Sequence, residues 1–159
     1  MMRRFARCLG GARIHEGTPE ENWQIVTIVD VMNLRGMIAT MTVEAATDTD
    51  IFLAYLDHFL CPALTPGRAV AMDNLSSHKA EGVRQRIEAA GAELLYLPPY
   101  SPDLNPIEKA WSTLKQLLRS AKARSEEALD HAITQALQQI SPDNANAWFR
   151  LTLNWVQLP

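Results

Sequence analysis

Residues 69–97 decide the fold. Ala69-Val70-Ala71-Met72 is a short apolar strand that runs directly into the polar pair Asp73-Asn74. A helical stretch follows from about His78 to Ala90, with Val83 and Ile87 on its inward side and Gly91 as its stop. Glu93 to Leu97 is the next strand. Strands alternating with helices in this way belong to α/β domains.

Upstream, Ile25, Val26, Ile28, Val29 and Val31 form a β-branched run, Asn33-Leu34-Arg35-Gly36 reads as a tight turn, and Met37 to Val43 resumes a strand. So continuous an apolar run predicts a strand buried on both faces. Thr47-Asp48-Thr49-Asp50 is a helix start. Ile51, Phe52, Tyr55, Leu56, Phe59 and Leu60 recur behind it at helical spacing, and Pro62 and Pro66-Gly67 are expected to end that helix. Downstream, residues 98–106 hold four prolines and form a stiff connector. Helices are expected from Pro106 to about Lys122, from Ser125, and from Ser141-Pro142-Asp143, the last carrying Trp148 and Trp155. The order β-β-α-β-α-β-α-α-α implies a mixed sheet with helices on its faces.

Length and composition narrow the function classes. The chain has 159 residues, 47% hydrophobic and 21% charged, which suits one globular domain with a true core. No apolar run approaches the roughly 18 residues of a membrane span. Arg3, Arg4, Arg7 and Arg13 precede no long apolar stretch, so a secretory signal is not indicated. Cys8 and Cys61 form no disulfide framework and no Cys/His cluster, which argues against structural zinc and for a reducing, cytoplasmic setting. There is no GxGxxG, Walker loop or GxSxG. The net charge of −3 excludes a wholly basic nucleic-acid coat protein while leaving local patches open.

Asp73 is the first candidate for chemistry. In open α/β sheets the carboxyl ends of strands face the ligand crevice, where a carboxylate can hold a hard cation. The same residue can equally cap the following turn. Glu108 is the second. Asn105-Pro106-Ile107-Glu108 also fits a capping box, with Asn105 as N-cap and Glu108 as its reciprocal partner. Yet Ser112, Lys115, Arg119 and Lys122 fall within about 40° of Glu108 on a helical wheel. Residues 109–124 carry Lys109, Lys115, Arg119, Lys122 and Arg124 without one acid. A phosphate backbone passing a metal-binding acid suits this face, as does a plain solvated basic face. Asp30 interrupts a hydrophobic strand. It is a conceivable third ligand, but an edge position or a pair with Arg35 is the favoured reading. His78 and Lys79 are of the types that meet phosphate, and equally of the types that open a helix.

Two blocks carry a family resemblance: Val70-Ala71-Met72-Asp73-Asn74-Leu75-Ser76-Ser77-His78-Lys79, and Leu95-Tyr96-Leu97-Pro98-Pro99-Tyr100-Ser101-Pro102-Asp103-Leu104-Asn105-Pro106-Ile107-Glu108. Together they closely resemble the DDE transposases of bacterial insertion sequences related to the mariner elements. The 34 residues between Asp73 and Glu108 match the separation of the second and third acids in that group. The resemblance implies an RNase H-like fold over a single domain, residues 1–159, with the helices of 123–159 belonging to it. It implies two divalent ions, Mg²⁺ or Mn²⁺, held by three carboxylates, of which Asp73 and Glu108 are two. The implied activity is DNA cleavage and strand transfer in transposition, on transposon ends and target DNA, by a homodimer or an assembly with an upstream half. His78, Lys79, Lys115, Arg119 and Lys122 are the candidate DNA contacts. Asp30 does not match the family's first acid, which lies on a central first strand upstream of the Arg3–Arg7 segment. The expectation is therefore an N-terminally truncated catalytic part that lacks that strand. An inactive DNA-binding or regulatory remnant is the alternative.

Overall fold

The computed structural model describes residues 25–153. Arg3, Arg4, Arg7, Cys8, Arg13, His15 and Trp155 lie outside them. Four short strands come first: β1 (Thr27–Val29), β2 (Met32–Asn33), β3 (Gly36–Met37) and β4 (Met41–Val43). β1 pairs antiparallel with β4 and β2 with β3, so the expected hairpin is present but interrupted. Val29 faces Met41 and Met32 faces Met37, which leaves residues 30–31 opposite residues 38–40. One arm thus carries an extra residue, a bulge. Asp30 fills it. Its Oδ1 accepts from the Val31 amide at 2.7 Å and the Ala39 amide at 3.4 Å, and its Oδ2 accepts from the Thr40 hydroxyl. At the turn Gly36 has φ +115°, and Asn33 Oδ1 accepts from the Arg35 amide at 2.7 Å.

β1 is covered on both sides, as its apolar run predicts. Ile28 packs with Leu114, Leu118 and Ile133 of the later helices, while Val29 packs with the cluster built on Phe52, Tyr55, Leu56, Val83, Ile87 and Leu94. Alternate residues of a strand point to opposite faces, so one short strand joins two cores.

Helix α1 (Thr49–Tyr55) starts where the sequence indicates, with the Asp48 side chain accepting from the Ile51 amide at 2.9 Å. It does not stop at Pro62. It widens into a π turn over Leu56–Leu60 and continues as α2 (Cys61–Ala63). Pro62 has no amide hydrogen, and its ring crowds the carbonyl four residues back. The wider turn relieves that conflict where a strict α-helix would break. Strand β5 (Ala69–Met72) runs parallel to β6 (Glu93–Tyr96), with Met72 opposite Tyr96. The crossover helix begins later than expected. His78 lies in a single 3₁₀ turn, Ser77–Lys79, and α3 spans Val83–Ala89 behind Gly82, whose φ of +89° breaks the run. Gly91 (φ +80°) ends α3 as anticipated, and a Cβ there would stand 3.1 Å from Pro66.

After the proline-rich connector come α4 (Ile107–Ala121), α5 (Glu126–Gln138) and α6 (Pro142–Leu153). Ser125 caps α5, accepting from the Ala128 amide at 3.2 Å. Asn146 on α6 donates to the Leu34 carbonyl at 3.0 Å, which ties this helix back to the hairpin turn. The architecture is therefore mixed α/β with helices on both sides of β1. The single mixed sheet expected from the sequence is not formed by the described residues. Their six strands make three separate pairs, and no ladder bond joins β1 to β5. None of their helices is long and apolar enough to cross a membrane.

Candidate active site

Asp73 is the first residue beyond β5, at the carboxyl end of the parallel pair. Its Oδ1 takes two bonds, from the Leu75 amide at 3.1 Å and from His78 Nδ1 at 2.6 Å. The first is the local turn that position alone suggested. Oδ2 has no partner among the described residues, and the side chain remains 45% exposed, so this oxygen is open to a ligand. The neighbouring Asn74 locks the segment differently: its Nδ2 donates to the Leu97 carbonyl at 2.5 Å, across to the exit of β6.

Glu108 stands in the first turn of α4, exposed. The capping box does not form. Asn105 Oδ1 accepts from the Ile107 amide at 3.4 Å, and no hydrogen bond or ion pair holds the Glu108 carboxylate among the described residues. The helix starts one residue later than the box requires, with Pro106 in the N-cap position. The connector that delivers Glu108 leaves from the same end of the β5–β6 pair as Asp73, with the Leu97 amide donating to the Met72 carbonyl at 2.8 Å.

Asp30 belongs to the hairpin and not to this site. Both its oxygens are taken within the bulge, and it pairs with the opposite arm instead of Arg35. Burial pushes its carboxyl above the usual carboxylate range, against the lowering effect of the Thr40, Val31 and Ala39 bonds. The Tyr55 hydroxyl donates to the Ala39 carbonyl at 2.7 Å, and burial, with Asp30 nearby, raises its pKa too. Burial also raises the Cys61 thiol, with Asp57 adding to the effect and Arg86 opposing it, so Cys61 is no activated nucleophile.

Lys115 and Arg119 lie as the wheel places them. They are exposed on the side of Glu108 and Ser112, while Ala110, Leu114 and Leu118 are buried. Lys122 departs from the stripe: it is the C-cap, in left-handed conformation at φ +51°. Lys79 is exposed in the 3₁₀ turn. His78 is less free than the sequence suggested. One ring nitrogen is committed to Asp73, the ring lies 4.5 Å from that of Phe52, and its carbonyl accepts from the Tyr96 hydroxyl at 2.8 Å. Sequence reasoning missed Phe52, Asn74 and Tyr96 as parts of this site, since their contacts depend on how the helix and both strands are placed.

Carboxylates are donors of the type that suits a hard divalent cation such as Mg²⁺ or Mn²⁺. The described residues contain no cluster of three or more His, Cys, Asp or Glu able to hold a metal. Asp73 thus stands at a strand end and Glu108 in the first turn of α4. The sequence model of the DDE superfamily endonucleases matches residues 1–130, and the chain belongs to that family. Among solved structures, it is similar to the Mos1 transposase paired-end complex with left transposon end (TM-score 0.77, 18% identity). It is also similar to the Mos1 strand transfer complex (TM-score 0.75, 18% identity). Each match covers 98% of this chain and 48% of the other, so the chain spans about half the length of those Mos1 chains. A third similar structure is the Mos1 mariner paired end complex with Mn (TM-score 0.73, 18% identity, 98% of this chain, 49% of the other). At these identities the likeness establishes the fold, the α/β arrangement of Mos1 transposase. No curated protein matches the chain.

Proposed function

We propose that the chain is the catalytic part of a DDE transposase, cutting DNA at transposon ends and joining the freed strand to target DNA. The observation that carries this reading is Asp73 at the carboxyl end of β5, with Oδ1 held and Oδ2 open, in a chain of the DDE endonuclease family. Asp73 and Glu108 would hold the divalent ions, which in such enzymes stabilise both the attacking and the leaving oxygen of an in-line phosphoryl displacement. The chain's own part is to keep Asp73 oriented, to present Glu108 unpaired, and to offer Lys79, Lys115, Arg119 and Lys122 to the phosphate backbone. A phosphate contact by His78 falls to Nε2, since Nδ1 is engaged. One Mos1 complex holds the left transposon end and another holds Mn, which supports DNA as partner and a divalent metal as cofactor here.

The site is incomplete in this reading. The family resemblance calls for three acids, the described residues hold no cluster of three, and β1–β4 and β5–β6 form separate pairs among them. We infer that an upstream segment supplies both the strand and the acid, in one polypeptide or as an assembled half. DNA immediately upstream of the Met1 codon should then encode, in some frame, an apolar strand ending in Asp. The chain joined to that segment should cleave transposon-end DNA with Mg²⁺ or Mn²⁺, and Asp73→Asn should abolish cleavage. DNA binding that persists in a joined protein with no cleavage would favour the regulatory remnant.

A further inference from the structure

The geometry points to His78 as a positioning residue that holds Asp73 by one oxygen so that the other is aimed at a divalent cation. This rests on the reading of Asp73 as a metal ligand. A carboxylate on a free side chain rotates, and each rotation lost on binding a metal costs entropy. Here the rotation is already stopped. Oδ1 accepts from the Leu75 amide at 3.1 Å and from His78 Nδ1 at 2.6 Å, two donors at different angles. Because a carboxylate only accepts, Nδ1 carries the proton of this bond.

His78 is itself fixed from two further directions. Its ring rests against Phe52 of α1, centroids 4.5 Å apart and planes 39° apart. Its carbonyl accepts from the Tyr96 hydroxyl at 2.8 Å. Tyr96 ends β6 opposite Met72, the residue before Asp73, and the Arg84 guanidinium lies 5.8 Å from the centre of its ring. The chain of contacts therefore closes on itself: Met72, Asp73, His78, Tyr96 and back across the ladder to Met72. A ligand held through such a closed ring keeps its orientation without the metal. Groups that hold ligating side chains in this manner typically contribute 10–100-fold to metal affinity, a range taken as about the effect expected here.

Mn²⁺ binding to the chain joined to its upstream segment, followed by the electron paramagnetic resonance of free Mn²⁺, tests the assignment. The unmodified chain should bind and Asp73→Asn should not. His78→Ala should weaken binding about 10–100-fold. His78→Asn, whose amide nitrogen lies near the place of Nδ1, should recover most of it, and His78→Gln, whose amide lies nearer the place of Nε2, should not. Thermal melting without metal accompanies each variant, and if His78→Ala does not fold, the Asn and Gln variants decide between themselves. A folded His78→Ala chain with unchanged Mn²⁺ affinity overturns the positioning role while leaving Asp73 a ligand. Recovery by Gln and not Asn also overturns it, since His78 would then be a ligand through Nε2. Equal Mn²⁺ binding by Asp73→Asn and the unmodified chain, or none by either, overturns the reading of Asp73 itself and the inference with it.

Discussion

Replacing Asp30 separates the cost of its charge from the worth of its hydrogen bonds. Asp30 is 8% exposed and accepts from three donors, of which the Ala39 amide is buried. In Asp30→Ala that amide loses its acceptor, and an orphaned buried donor costs about 1–3 kcal/mol. The Val31 amide and Thr40 hydroxyl, half-buried, recover part of their loss from water. Asp30→Asn behaves differently: its oxygen still accepts from Val31 and Ala39, and its amide can donate to a reoriented Thr40 hydroxyl. The sign of the pH effect follows from burial, which raises the Asp30 pKa above its unfolded value near 3.8. The stability this group contributes is therefore fully present below that unfolded value and is lost as pH rises through the raised folded value. Urea denaturation of the three proteins across the acid-to-neutral range is the assay. The difference in stability between Asp30→Asn and the parent should move in favour of Asn as pH rises from about 4 and then level off, because only the parent pays to ionise a buried group. Asp30→Ala should stay the least stable throughout. A parent that gains on Asp30→Asn with rising pH would refute the argument.

Three other outcomes follow from the helices. Changing Lys115 and Arg119 together to Ala should weaken DNA binding alike for all sequences and flatten its salt dependence by roughly one unit of slope per lost phosphate contact, read by fluorescence anisotropy over a salt series. An unchanged slope would make the stripe an ordinary solvated face. Lys122→Gly should melt above Lys122→Ala, two variants that both lose the lysine side chain, since left-handed conformation costs a side-chain-bearing residue about 1–2 kcal/mol that glycine avoids. Gly91→Ala should destabilise by about 1 kcal/mol or more in chemical denaturation, through φ +80° and a Cβ 3.1 Å from Pro66.

How legible the molecule was depended on the range of the interactions. The start of α1 at Asp48, the stop at Gly91, and the two-sided cover of β1 are set by residues close in sequence or by a periodic pattern, and each was readable. The bulge at Asp30 was not, because the donors that hold it include Ala39 and Thr40 on the opposite arm. Pro62 reads as a helix end, yet packing of Leu56 and Leu60 into the core keeps the helix going through a wider turn. The site divides in the same way. Asp73 was visible as the polar residue ending an apolar strand, and Glu108 as the acid heading a basic helix face. The hold of His78 on Asp73 was not, since it needs the 3₁₀ turn in place of the expected helix, and the Met72–Tyr96 register that brings the Tyr96 hydroxyl to its carbonyl.

The central claim is that Asp73 and Glu108 hold one metal centre. Anomalous scattering from crystals of the protein, joined to its upstream segment and soaked in Mn²⁺, tests it most directly. The account expects an anomalous peak in contact with Asp73 Oδ2 and the Glu108 carboxylate at about 2.0–2.6 Å, the span of hard divalent cations with oxygen ligands. A peak that touches neither acid, or the two carboxylates too far apart to share a bound ion, would contradict it.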